Sequence, residues 1–100
     1  MAVTSKVLAR TAAATSSTTL YTVPASTTTI VTNIAVTNTA SSAGTFTLTL
    51  DGVALHTTTA IDANSTIYID LKQALATTKI IAGLASATTV NFHISGVEIS

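Results

Sequence analysis

Two imidazoles and four carboxylates are the side chains in this sequence best suited to hold a metal or move a proton near neutral pH: His56, His93, Asp51, Asp62, Asp70 and Glu98. Cysteine is absent, which removes thiolate nucleophiles, Cys-based zinc sites and disulfides together. Ten serines keep a Ser–His–Asp arrangement arithmetically open. No motif supports one, however: there is no G-x-S-x-G elbow, no glycine-rich phosphate loop and no His pair at ligand spacing. Each candidate also has a plain local explanation. Asp51 precedes Gly52 in a turn, Asp62 lies in a loop, and Asp70 with Gln73 matches a helix-capping box. Glu98, His56 and His93 fall at polar positions of alternating strands and are expected on outer faces. The sequence is therefore read as non-enzymatic, with no catalytic, cofactor or metal residues.

The charge pattern narrows the partners. Only 8% of residues are charged and the net charge is zero, against a usual charged fraction of about 25%. Neither a polyphosphate backbone nor an anionic membrane would be attracted to such a chain. No apolar run of about 18 residues is present to span a bilayer as a helix. Residues 1–50 hold Lys6 and Arg10 and no acid, whereas residues 51–100 hold Lys72 and Lys79 against four acids. Arg10 interrupts the leading apolar stretch, so the first residues are read as mature protein rather than a secretory signal.

What must position these residues is a set of strands. Threonine occurs 23 times among 47% apolar residues that alternate in register, and β-branched Thr, Val and Ile fit a pleated surface better than a helix. The segment TFTLTLDGVALHT (45–57) predicts a hairpin about a type I′ Asp51-Gly52 turn, with Leu50 opposite Val53, Leu48 opposite Leu55 and Phe46 opposite Thr57. Further strands are expected at Leu20–Val23, Thr27–Asn38, Thr66–Leu71 and Thr78–Leu84, the last as a central strand covered on both faces. Asp70 is expected to start a helical turn carrying Leu71 and Leu75. In the final strand the apolar parity changes from Val90, Phe92 and Ile94 to Val97 and Ile99, which predicts a bulge at Ser95-Gly96. Asn64-Ser65-Thr66 matches a glycosylation sequon but coincides with a turn.

The fold class that follows is all-β: an antiparallel Greek-key β-sandwich, jelly-roll or immunoglobulin-like, of seven strands, or eight if Val3 to Ala9 joins them. Residues 1–17 are expected to form an N-terminal arm and residues 18–100 the single β-sandwich domain.

Four segments, LYTVPASTTTIVTNIAVTN, FTLTLDGVAL, IDANSTIYIDL and NFHISGVEI, resemble the small β-sandwich structural proteins of tailed-bacteriophage virions. The resemblance covers roughly Leu20 to Ile99 and brings no catalytic residues. It implies a virion component, with capsid decoration on the outside of the head as the leading expectation and a tail-associated or tail-fibre module as the alternative. The partners implied are the major capsid protein and further copies of the chain in a homo-oligomer such as a trimer. Val3, Lys6, Val7, Leu8 and Arg10 are the candidate partner-contacting residues of the arm.

Overall fold

The computed structural model describes residues 2–100. Eight strands follow one another: β1 (Val3–Ala12), β2 (Thr18–Thr22), β3 (Thr28–Asn38), β4 (Gly44–Leu50), β5 (Val53–Ile61), β6 (Ser65–Leu75), β7 (Ile80–Ala85) and β8 (Val90–Ile99). Their antiparallel pairings nest, β4 with β5, β3 with β6, β2 with β7 and β1 with β8, like one long hairpin of four strands per arm. Two further pairings, β3 with β8 and β4 with β7, roll that hairpin into two sheets ordered β1-β8-β3-β6 and β2-β7-β4-β5. This is the jelly roll. The immunoglobulin-like alternative is set aside, because neither sheet places the first two strands side by side. Every connection crosses between sheets except the β4–β5 hairpin.

The inward faces make one core. Phe46 of β4 and Phe92 of β8 meet edge-on across the sandwich, ring centroids 6.3 Å apart. Ile34, Val36, Leu48, Ile81, Val90 and Ile94 are fully buried around them. The expected central strand is β7, which lies between β2 and β4.

The β4–β5 turn forms as its sequence dictates, with positive φ at Asp51 (54°) and Gly52 (74°). Its register holds only at Leu50 opposite Val53. Leu48 then faces His56 rather than Leu55, and Phe46 faces Thr59 rather than Thr57, because β5 carries two residues more than β4 over this span. Thr58 adopts φ 45° at the second irregularity, where its N–H donates to Thr47 Oγ1 at 2.9 Å. Bulges of this kind twist an edge strand and blunt its open ladder. They also turn His56 toward the Phe46 ring, 5.4 Å between centroids; Val53, beside the turn and ahead of both irregularities, is exposed.

Two other expectations are corrected. No helical turn begins at Asp70, since β6 runs unbroken to Leu75; the Leu71–Leu75 spacing fits a helix face, but both side chains instead turn inward from the strand. β8 has no bulge of its own. The extra residues lie on its neighbours, Leu8 on β1 and Thr32 on β3, both beside the Ser95 step, so Gly96 and Glu98 stay on the inward face. Gly96 is needed there because a Cβ would stand 2.3 Å from the Ile30 carbonyl oxygen and 2.9 Å from Leu8 Cδ1. Within residues 2–17, β1 is paired with β8 along its length, and Leu8 and Ala13 belong to the core.

Candidate interaction surface

The five residues expected to contact a partner separate by function in the fold. Leu8 is buried against Gly96, turned inward by the irregularity between Val7 and Ala9, so it serves this chain's own core. Lys6 turns to the inward side and pairs with Glu98, Nζ to Oε1 3.4 Å. Val3, Val7 and Arg10 remain exposed at the edge of the β1-β8-β3-β6 sheet.

The register builds the outer face of that sheet row by row. Val3 lies beside Ile99, Ser5 beside Val97, Ile30 and Ala74, and Val7 beside Ser95, Asn33 and Asp70. The next row is Arg10, His93, Ala35 and Tyr68, followed by Ala12, Asn91, Thr37 and Thr66. One end of the face is thus apolar and lacks formal charge across β1, β8 and β3, with Val3 63% and Val7 44% exposed. The other end is polar. There Arg10, Thr11, Ala12, Asn91 and His93 line a shallow depression. The sequence did announce the apolar end, through the shift to Val97 and Ile99, but an outward apolar residue and a bulged inward one leave the same trace in a sequence.

Glu98 is the second residue whose placement changes. It was expected on the outer face and instead points between the sheets, where the Tyr21 hydroxyl donates a hydrogen bond to Glu98 Oε2. That hydroxyl also lies 2.8 Å from Thr29 Oγ1. Since the single phenolic proton goes to Glu98, the buried Thr29 hydroxyl is the donor to Tyr21. Lys6, Glu98 and Tyr21 thereby tie the two sheets together at one end of the sandwich. Burial, followed by the hydrogen bond to Glu98, raises the Tyr21 pKa above 10.0; the bond from Thr29 opposes that rise.

The two imidazoles do not converge. His56 lies on β5 in one sheet, its Nδ1 3.3 Å from Thr59 Oγ1, and His93 lies on β8 in the other. Asp51 pairs with Lys79 across the hairpin end, 3.7 Å apart with both side chains about half exposed. Among the described residues no three His, Cys, Asp or Glu side chains gather as a metal site. Asn38, which the sequence marks only as the end of a strand, organises that end of the sandwich. Buried at 1% exposure, it donates to the carbonyls of Ser42 (2.9 Å) and Asp62 (3.3 Å) and accepts from the Ala40 N–H (3.0 Å) and the Thr89 hydroxyl (3.4 Å).

No protein-family model matches the chain, and no curated protein does. Among solved structures, one similar chain is a pentameric capsid protein isolated from metagenomic phage sequences, with 14% identity and a TM-score of 0.39. The match covers 96% of this chain but only 59% of that one, so this chain spans about three fifths of its length. At that level the likeness carries no argument about fold or function.

Proposed function

We propose that this protein is a non-enzymatic structural component of a bacteriophage virion that decorates the outside of the head and ties neighbouring capsid subunits together. The observation that carries the reading is the outer face of the β1-β8-β3-β6 sheet, a broad surface of Thr, Ser, Val and Ile with three formal charges, Arg10, Asp70 and Lys72. Such a surface suits a fixed contact, in which methyl groups pack and hydroxyls hydrogen-bond across the interface. It lacks the charge that keeps a dispersed protein apart from its neighbours. The sequence resemblance from Leu20 to Ile99 supplies the virion context. The mechanism is mass action, because a protein that binds only the assembled shell stabilises it by RT ln(1 + [L]/Kd) per site.

A tail-associated or fibre module is the second reading, favoured by Tyr68, whose ring is 73% exposed on the same face and is available to stack on a host-surface sugar. Labelling the protein on intact virions distinguishes the two. Label over the heads, with heads lacking the protein rupturing at lower temperature, supports decoration. Label confined to tails overturns it in favour of the second reading, and absence from virions overturns both.

A further inference from the structure

We propose that the outer face of the β1-β8-β3-β6 sheet is a two-fold contact with a second copy of this chain, laid face to face with β1 of each copy over β6 of the other. The argument starts from how charge is distributed over that face. Arg10 stands on the β1 edge, while Asp70 stands on the β6 edge. Three strand spacings of about 4.8 Å separate those edges, roughly 14 Å. Asp70 sits one row from Arg10, the rows being those of Ser95 and His93.

A two-fold axis running parallel to the strands exchanges the edges without shifting the rows. It carries Arg10 over the partner's Tyr68 and within reach of the partner's Asp70, and by symmetry the same pair forms twice. One row beyond the pairs, Val97 of each copy lies over Ile30 of the other. Lys72 is the remaining outward charge on β6; it lies between Asp70 and Gln73, level with the partner's Val7 and the partner's Lys6, where its long stem reaches water past the strand edge.

The size also fits. Four strands of about ten residues present roughly 650 Å² in projection, approaching the ~800 Å² per partner of a standard stable interface once side-chain relief is added. Aligned sheets stack about 10 Å apart with their side chains interdigitated. Nothing larger than valine or isoleucine stands in the middle of this face to prevent it.

The inference narrows the reading above, giving the face that carries it to a second copy and the capsid contact to other surfaces, and rests on that reading only for the expectation of self-association; purified protein tests it without any virion, so the two fail separately. Sedimentation of the full chain should show a concentration-dependent dimer. Val97→Lys should weaken it, while Val53→Lys, on the other sheet, should leave it unchanged. Arg10→Asp and Asp70→Arg should each weaken association about tenfold, since each disturbs two symmetric pairs, and the double reversal should restore it. Circular dichroism confirms that each variant is folded, and the charge variants decide the matter if Val97→Lys is not. A chain that stays monomeric up to about 1 mM overturns the proposal, as does a double reversal no better than its parents. If virion binding in that case falls with Val97→Lys, the face belongs to a capsid contact instead.

Discussion

Replacing Asn38 with alanine tests whether one buried amide holds three loops in place. Its side chain uses its full capacity, two donors and two acceptors, on partners in the β3–β4 loop, the β5–β6 turn and the β7–β8 turn. Two of the four bonds are short, at 2.9 and 3.0 Å, and two are long, at 3.3 and 3.4 Å. At about 0.5–1.5 kcal/mol for a good bond and less for a stretched one, the set contributes about 3 kcal/mol. The void left by Asn38→Ala adds to this, giving a loss of about 3–4 kcal/mol. For a domain of this size each kcal/mol moves Tm by about 4–8 °C, so the melt should fall by roughly 12–30 °C. Asn38→Asp is the sharper variant, since it keeps the shape, loses both donors and sets a carboxylate against two carbonyls. Burial and those carbonyls would hold its pKa above the ordinary ~3.9. The folded state then binds the proton more tightly, so Asn38→Asp is most stable below pH ~4 and loses stability as pH rises through its folded pKa. Thermal melts by circular dichroism between pH 3 and 8 read both effects. A Tm for Asn38→Ala within about 5 °C of the parent, or an Asn38→Asp variant with the parent's pH profile, would refute the reasoning.

Gly96→Ala places a methyl group 2.3 Å from a backbone oxygen, so it should cost about 3 kcal/mol through overpacking and backbone shift; an unchanged urea midpoint would contradict the close approach. Tyr21→Phe should cost about 1–2 kcal/mol at neutral pH by stranding Thr29 and Glu98. Because the folded Tyr21 pKa is raised, its proton-linked contribution is complete below pH ~10 and lost as pH climbs through the raised value. The parent should therefore lose stability in alkali faster than Tyr21→Phe, and parallel alkaline melts would count against the assignment. Deleting residues 2–12 should leave an unfolded or aggregated chain, because β8 loses a partner and the core loses Leu8; a soluble monomer with the parent's melt would show that β1 is dispensable.

Alternation of side chains sufficed to place seven of the eight strands, and Asp51-Gly52 sufficed for the one tight hairpin. What alternation does not record is where an extra residue enters a ladder. The two irregularities of β5, and those at Leu8 and Thr32, are fixed by which neighbours compete for the same backbone groups, and they determined where His56, Glu98 and Leu8 point. β1 was hidden for a related reason. Ladder hydrogen bonds are made by the main chain, so an Ala-, Ser- and Thr-rich strand reads like a loose arm until its partner is known. Asn38 was invisible because its value lies in four bonds to segments up to 51 residues away. In the candidate surface, Val3, Val7 and Arg10 were legible as exposed groups, whereas the rows joining them to β3 and β6 required the register.

The position of β8 between β1 and β3 also dictates a timetable. β8 is the last of the eight strands to be synthesised, yet β1 has no other ladder partner and β3 has an open side until it arrives. The β4–β5 hairpin, closed over two residues, can form in microseconds, and the enclosing pairs can then zip outward. The final step must close almost the whole chain into one loop, at the highest entropic cost of the series. Until then two long threonine- and valine-rich edges stand open, each a template for pairing with another nascent chain. A chain halted before Val90 would thus carry not one missing strand but two unfinished ones, and its loss of solubility should match that of a chain lacking β1.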